Sequence, residues 1–141
     1  MEEQGHSGLV DNDYCFACGR QNPFGLQLQF SSGGEGVQAT FKPGPHLQGF
    51  AGLLHGGIAA TVLDDVMNNL VTRTRGVLAM TGSLEVRYRK PVPITGTLIC
   101  RAYITRERGA MYYAEAVLIA EGSDEVLVEA KSIQMAVRPK G

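Results

Sequence analysis

Apolar residues along this chain follow two different periods, and the switches between them outline the fold. Leu26, Leu28 and Phe30 alternate with polar neighbours, and residues 37–41 alternate again until Lys42-Pro-Gly-Pro ends the run. Two short strands paired as a hairpin around 31–36 are expected. From Gly56 to Leu70 the spacing changes: apolar residues at 59, 62, 63, 66, 67 and 70 share one helical face, widened by Ile58 and Ala60. A helix apolar over so much of its circumference is a buried one. Its end is expected within 73–76, where Arg73 and Arg75 suit the negative end of the helix dipole and Gly76 can take a left-handed cap. Leu84, Val86 and Tyr88 then alternate with Ser83, Glu85, Arg87 and Arg89 up to Pro91 and Pro93. Three further strands are predicted over 96–106, 111–120 and 125–137, separated by Gly-containing turns.

Two strands, one apolar helix and four strands suggest an antiparallel sheet curled round the helix, an α+β architecture. The helix covers one face of such a sheet, so its long edge strands favour self-association. Residues 1–13 are small, polar and acidic and are expected to form a loose arm, with 14–141 a single domain. The length of 141 residues suits one domain with its own core, without disulfides or a structural metal. Thirteen Lys and Arg against fourteen Asp and Glu give a net charge of -1, a balance that disfavours nucleic-acid binding. No apolar run approaches the roughly 18 residues of a membrane span, and the chain starts acidic and Gly-rich. A cytoplasmic protein is expected. Cys15, Cys18 and Cys100 are an odd, sparse set that fits a reducing compartment.

The chemistry concentrates where Gln48-Gly-Phe-Ala-Gly-Leu-Leu-His-Gly-Gly runs into the helix. Gly56 and Gly57 leave backbone N–H groups open at the positive end of the dipole, a good place to receive a carbonyl oxygen that becomes negative. Nine residues after His55, Asp64 and Asp65 sit mid-helix, where a carboxylate is costly unless paired, solvated or used. With Asn68 and Asn69 one turn on, one of the two belongs on a solvated face, and Asp65 is the candidate for it. His55 reads equally as a site residue or as a helix-start residue bonding the backbone. Cys15-x-x-Cys18 matches half a zinc site or a redox pair, but no second CxxC or His pair follows at zinc spacing and no βαβ pattern surrounds it. Both thiols are read as structural, Cys100 as core, and no metal is expected.

The segments LLHGGIAATVLDD, GFAG, TGSLEVRYRKPVP and CFACGRQNPFGLQLQF resemble the hotdog-fold acyl-CoA thioesterases of the PaaI-like and THEM-type branch, over roughly residues 14–138. The resemblance implies a sheet wrapped round a central helix and hydrolysis of an acyl-coenzyme A thioester at a site between chains of a homodimer or dimer of dimers. It implies that Asp64 acts as base or nucleophile, that the N–H of Gly56 or Gly57 is the oxyanion donor next to His55, and that Thr81 comes from the neighbouring chain, with Ser83 the alternative on the same face. Gln48 takes the carbonyl-orienting role, and Arg87, Arg89 and Lys90 are candidates for the coenzyme A phosphates. Arg106 and Arg108 form a second basic pair. Each basic group reads equally as a solvated strand face. Coenzyme A thioester is the substrate, with no further cofactor implied. A non-catalytic acyl-CoA-binding module and a hydratase or dehydratase of the same fold are the rivals.

Overall fold

The helix begins where the glycines permit. In the computed structural model, which describes residues 13–33 and 36–137, α1 spans Gly56–Arg75 and is capped by Gly76 at φ 68°, whose N–H donates to the Thr72 carbonyl. Val62, Leu63, Val66, Met67 and Leu70 are completely buried, as their spacing requires. The arm expected over 1–13 lies, apart from Asp13, outside the described residues.

Six strands accompany the helix: β1 (Gln29–Gly33), β2 (Gly36–Phe41), β3 (Ala79–Tyr88), β4 (Leu98–Arg108), β5 (Met111–Ala120) and β6 (Val128–Ala136). They form one antiparallel sheet in the order β1-β2-β4-β5-β6-β3, so β1 and β3 are its edges. The expected α+β hotdog architecture is what is found. Helix α1 lies against β2, β3, β4, β5 and β6, and the row Val37–Ala102–Ala116–Ala130–Val86 runs beneath it across five strands. Alanines in the middle of that row let the helix approach closely, and its own leucines and methionine fill the gap.

Residues 14–28 form a loop rather than the start of a strand. Gln27 has φ 57°, which breaks the extended run, so Leu26 and Leu28 are buried but outside β1. The loop is tied by backbone bonds from Leu26 N–H to the Phe16 carbonyl and Leu28 N–H to the Ala17 carbonyl, and by Gln27 Nε2 donating to the carbonyls of Gly19 and Asn22. Gly25 is required there: a Cβ would stand 2.6 Å from the Phe16 carbonyl oxygen.

At the other edge, β3 carries a bulge at Gly82: Thr81 pairs with Gln134 but Ser83 with Ile133. The bulge corrects the expectation that Thr81 and Ser83 share a face, since one extra residue reverses the alternation. Thr81 lies on the helix side with the buried Gln134; Ser83 lies on the other. Beyond the bulge Leu84, Val86 and Tyr88 face the helix layer, yet Leu84 and Tyr88 remain 39% and 55% exposed. The apolar layer is unfinished along this edge.

Candidate active site

Residues 48–57 fold back on themselves at the start of α1. Gly49 N–H donates to the Leu53 carbonyl, His55 N–H to the Leu47 carbonyl and Leu54 N–H to that of Val92, which anchors the segment between a 3-10 turn (Pro45–Leu47) and the stretch after β3. A cleft of about 680 Å³ opens there, lined by Phe50, Leu53, His55, Gly56, Tyr88, Arg89 and Lys90 among others.

His55 is the N-cap of α1, and its Nδ1 accepts the Gly57 N–H at 2.9 Å. Of its two readings, the helix-start one describes this contact. Gly57 allows the ring to fold back, since a Cβ there would meet His55 Nδ1 at 3.1 Å. The two oxyanion candidates differ here: the Gly57 N–H is committed to the ring, whereas no acceptor among the described residues meets that of Gly56. Tyr88, read from sequence only as a sheet residue, donates its hydroxyl to the Gly56 carbonyl at 2.7 Å and roofs the same spot. The Gln48 side chain is turned elsewhere. Its Oε1 accepts the Gly52 N–H at 3.0 Å, and it does not line the cleft.

Two turns along the helix, Asp64 Oδ1 accepts a hydrogen bond from the Thr81 hydroxyl of the same chain at 2.6 Å. The resemblance places Thr81 on the neighbouring chain; here it bonds Asp64 within its own chain, a contact that the Gly82 bulge makes possible. Behind it stands a buried network that the sequence did not reveal. Gln134 is fully buried; its Nε2 donates to Thr81 Oγ1 and Ser132 Oγ at 3.0 Å each, and its Oε1 accepts from Asn68 Nδ2 at 2.9 Å. The Thr81 hydroxyl thus accepts one hydrogen from Gln134 and directs its own proton at Asp64. Gly56 and Asp64 are eight residues apart on one helix, so about 12 Å separates them.

Asp65 does not lie on a solvated face. It points away from Asp64 towards the 14–28 loop, 3.7 Å from Cys15 Sγ and 3.9 Å from Cys18 Sγ, with Asn69 Nδ2 at 3.3 Å. Burial, and then the charge on Cys15, push its carboxyl up to about 7. Cys15 moves the other way, to about 5, because the Cys18 thiol and the backbone N–H groups of Cys18 and Ala17 donate to its sulfur. Cys18 holds its proton more tightly than a free thiol because it donates to Cys15 and is buried.

The basic candidates divide. Arg89 and Lys90 line the cleft, ion-paired with Glu129 and Glu125. Arg87 is not among the cleft's lining and stands 3.7 Å from Glu85 in the open. Arg106 lies over the Tyr113 ring at the far end of β4, and Arg108 ends that strand, so the second basic pair is remote from the cleft in the fold.

The thioesterase superfamily model matches residues 51–127, which include the glycines, Asp64 and Thr81. The chain belongs to the thioesterase superfamily. The chain is similar to acyl-coenzyme A thioesterase THEM4 of Mus musculus, 28% identical over 102 residues that make up 72% of this chain and 44% of the relative. Acyl-coenzyme A thioesterase THEM5 of the same species is 27% identical over 92 residues, 65% of this chain and 36% of the relative. The chain thus spans less than half the length of these curated relatives. Among solved structures, the thioesterase superfamily protein RHA08564 superposes with a TM-score of 0.79 at 21% identity, over 87% of this chain and 60% of that one. The BH2602 protein from Bacillus halodurans, solved with CoA, gives 0.72 at 24% identity over 82% and 77%. At these identities the superpositions speak for the fold alone, which is the one described above.

Proposed function

We propose that this thioesterase hydrolyses an acyl-coenzyme A thioester to a carboxylic acid and coenzyme A, at a site where the helix start of one copy meets the Asp64–Thr81 pair of another. The observation that carries this reading is the division of labour along α1. An N–H at Gly56 that meets no acceptor among the described residues and an oriented carboxylate at Asp64 have complementary uses, yet stand about 12 Å apart along the helix of one chain. A second copy seated on the incomplete β3 edge brings the complementary halves together, and Leu84 and Tyr88 gain cover in the same step.

In this mechanism the thioester oxygen lies against the Gly56 N–H, at the positive end of the helix dipole. Asp64 takes a proton from water as the water oxygen bonds to the carbonyl carbon, and negative charge moves onto the oxygen held by Gly56. The tetrahedral intermediate then reforms its C=O, the C–S bond breaks, and the proton held by Asp64 passes to the departing sulfur. Thr81 fixes one carboxylate oxygen, leaving the other to meet the water. Arg89 and Lys90, at the cleft rim, receive the phosphates of coenzyme A by exchanging their carboxylate partners for them. The aromatic and leucine lining of the cleft, Phe50 and Leu53, suits apolar substrate atoms. The name of the THEM4 relatives supports the substrate class, as does the coenzyme A bound to BH2602.

A panel of short-chain, long-chain and aromatic acyl-coenzyme A esters, followed with a thiol reagent, tests the reading. At least one ester should release thiol with the native chain, and Asp64→Asn should lower kcat by about 10²–10⁴-fold with its fold intact by circular dichroism. Absence of release from every ester, or tight acyl-CoA binding without turnover, contradicts it.

A further inference from the structure

The Cys15-x-x-Cys18 motif has no role in the chemistry proposed above, yet the fold spends much of the 14–28 loop on holding it in place. We propose that Cys15, Cys18 and Asp65 form a binding site for a thiophilic divalent cation of the zinc type, with a fourth position open to water. One ligand atom from each residue lies within 4.8 Å of the others. Metal–sulfur bonds of about 2.3 Å and a metal–oxygen bond of about 2.0 Å set at tetrahedral angles place ligand atoms about 3.5–3.8 Å apart. A sulfur and an oxygen on one ion stand at the short end of that range, and the two sulfur-to-carboxylate distances, 3.7 and 3.9 Å, come close to it before any ion is added, so a small inward movement of the thiols completes the geometry.

The loop is shaped for thiolates. The backbone N–H groups of Ala17 and Cys18 point at Cys15 Sγ, which stabilises a sulfur anion and fixes its direction. The Gly19 N–H donates to the Cys15 carbonyl and closes the turn, Ala17 is buried in the core, and Gln27 bonds the Gly19 carbonyl from behind. Asp65 is equally constrained: it sits on the central helix, and Asn69 Nδ2 donates to its Oδ2, which leaves Oδ1 facing the sulfurs. Asn69 in turn accepts from Arg73 Nε at 3.2 Å, and Arg73 lies over the Phe30 ring.

Charge closes the argument. A dication held by two thiolates and a carboxylate would balance most of their charge, with the Arg73 guanidinium, which bonds Asn69, close by. On binding, metal–sulfur and metal–oxygen bonds form and the protons held by the cluster pass to solvent; no electrons move. The sequence showed half a zinc site because the third ligand lies 47 residues beyond the second. This departs from the expectation of structural thiols without metal. Asp64, the reacting carboxylate, points towards β3 instead, so the site is separate from the proposed hydrolytic centre.

The test uses the full chain, reduced and stripped with a chelator. Zinc should return at about one equivalent per chain by mass spectrometry of the metal. Cobalt(II) should give thiolate-to-metal absorption in the near ultraviolet together with intense visible bands of tetrahedral type. Cys15→Ser and Cys18→Ser should abolish the near-ultraviolet band or reduce it strongly, Asp65→Asn should weaken cobalt affinity by about tenfold or more, and Cys100→Ser should leave the spectrum as it is. Zinc should also protect Cys15 and Cys18 of the native chain from alkylation, a readout that survives if the variants fail to fold. The proposal is overturned by reduced native protein that takes up neither metal, by a cobalt spectrum unchanged in Asp65→Asn, or by thiols that zinc leaves unprotected. A Cys15–Cys18 disulfide whose reduction yields no metal uptake overturns it in favour of a redox pair.

Discussion

The carboxylate proposed for the reaction depends on one hydroxyl hydrogen. Thr81 donates to Asp64 while its oxygen accepts from Gln134, which is itself fixed by Asn68 and Ser132. Thr81→Val keeps the shape and removes the donor, so kcat should fall by about tenfold or more with KM little changed, whereas Thr81→Ser should retain most activity. Equal kinetics for the two variants would remove Thr81 from the mechanism. At this scale the sequence was legible in part. Asp64 stood out because a carboxylate nine residues after a His-Gly-Gly needs a reason to sit among apolar neighbours. Asp65 looked like its solvated twin, since the thiols that face it come from a loop 47 and 50 residues earlier. Gln134 gave no signal, because an alternating strand reads the same whether its polar residue meets water or a buried network.

Elements were easier to foresee than their edges. The helix start at Gly56 and its left-handed stop at Gly76 follow from local rules and stand where those rules put them. The bulge at Gly82 follows from none; it exists because a glycine there lets β3 step past the Met135 side chain, 3.2 Å from where a Cβ would lie. Its consequence is large, since it decides which of Thr81 and Ser83 faces the helix. The 14–28 loop was recognisable as turn-rich, but its tight closure is a packing fact. Gly25→Ala drives a methyl group against the Phe16 carbonyl and should cost about 1–3 kcal/mol, read as a lower urea midpoint with an unchanged slope. A midpoint equal to that of the native chain would mean that the loop is not held as described.

For the molecule as a whole, near-neutral charge and a single helix first indicated a self-sufficient domain. The core is complete under α1, but the apolar layer stops short at β3 and the chemical groups are split along the helix. The charge of -1 leaves no broad positive field for a phosphate-bearing ligand, so Arg89 and Lys90 must act locally, by releasing Glu129 and Glu125. The sequence reading places Thr81 on the neighbouring chain; within one chain Thr81 already bonds Asp64, and the proposed site joins that pair to the Gly56 N–H of a second copy. Complementation between two disabled chains tests this most directly. Gly56→Pro deletes the proposed donor at the first helical position, where proline is well accepted, and His55 before it already has the extended backbone that proline prefers. Asp64→Asn disables the other half. Each variant alone should be nearly inactive; co-expressed in equal amounts, half the pairs are mixed and each mixed pair holds one intact site of two, so about one quarter of native activity should return. A co-expressed mixture no more active than the sum of its parts would contradict a site built from two chains.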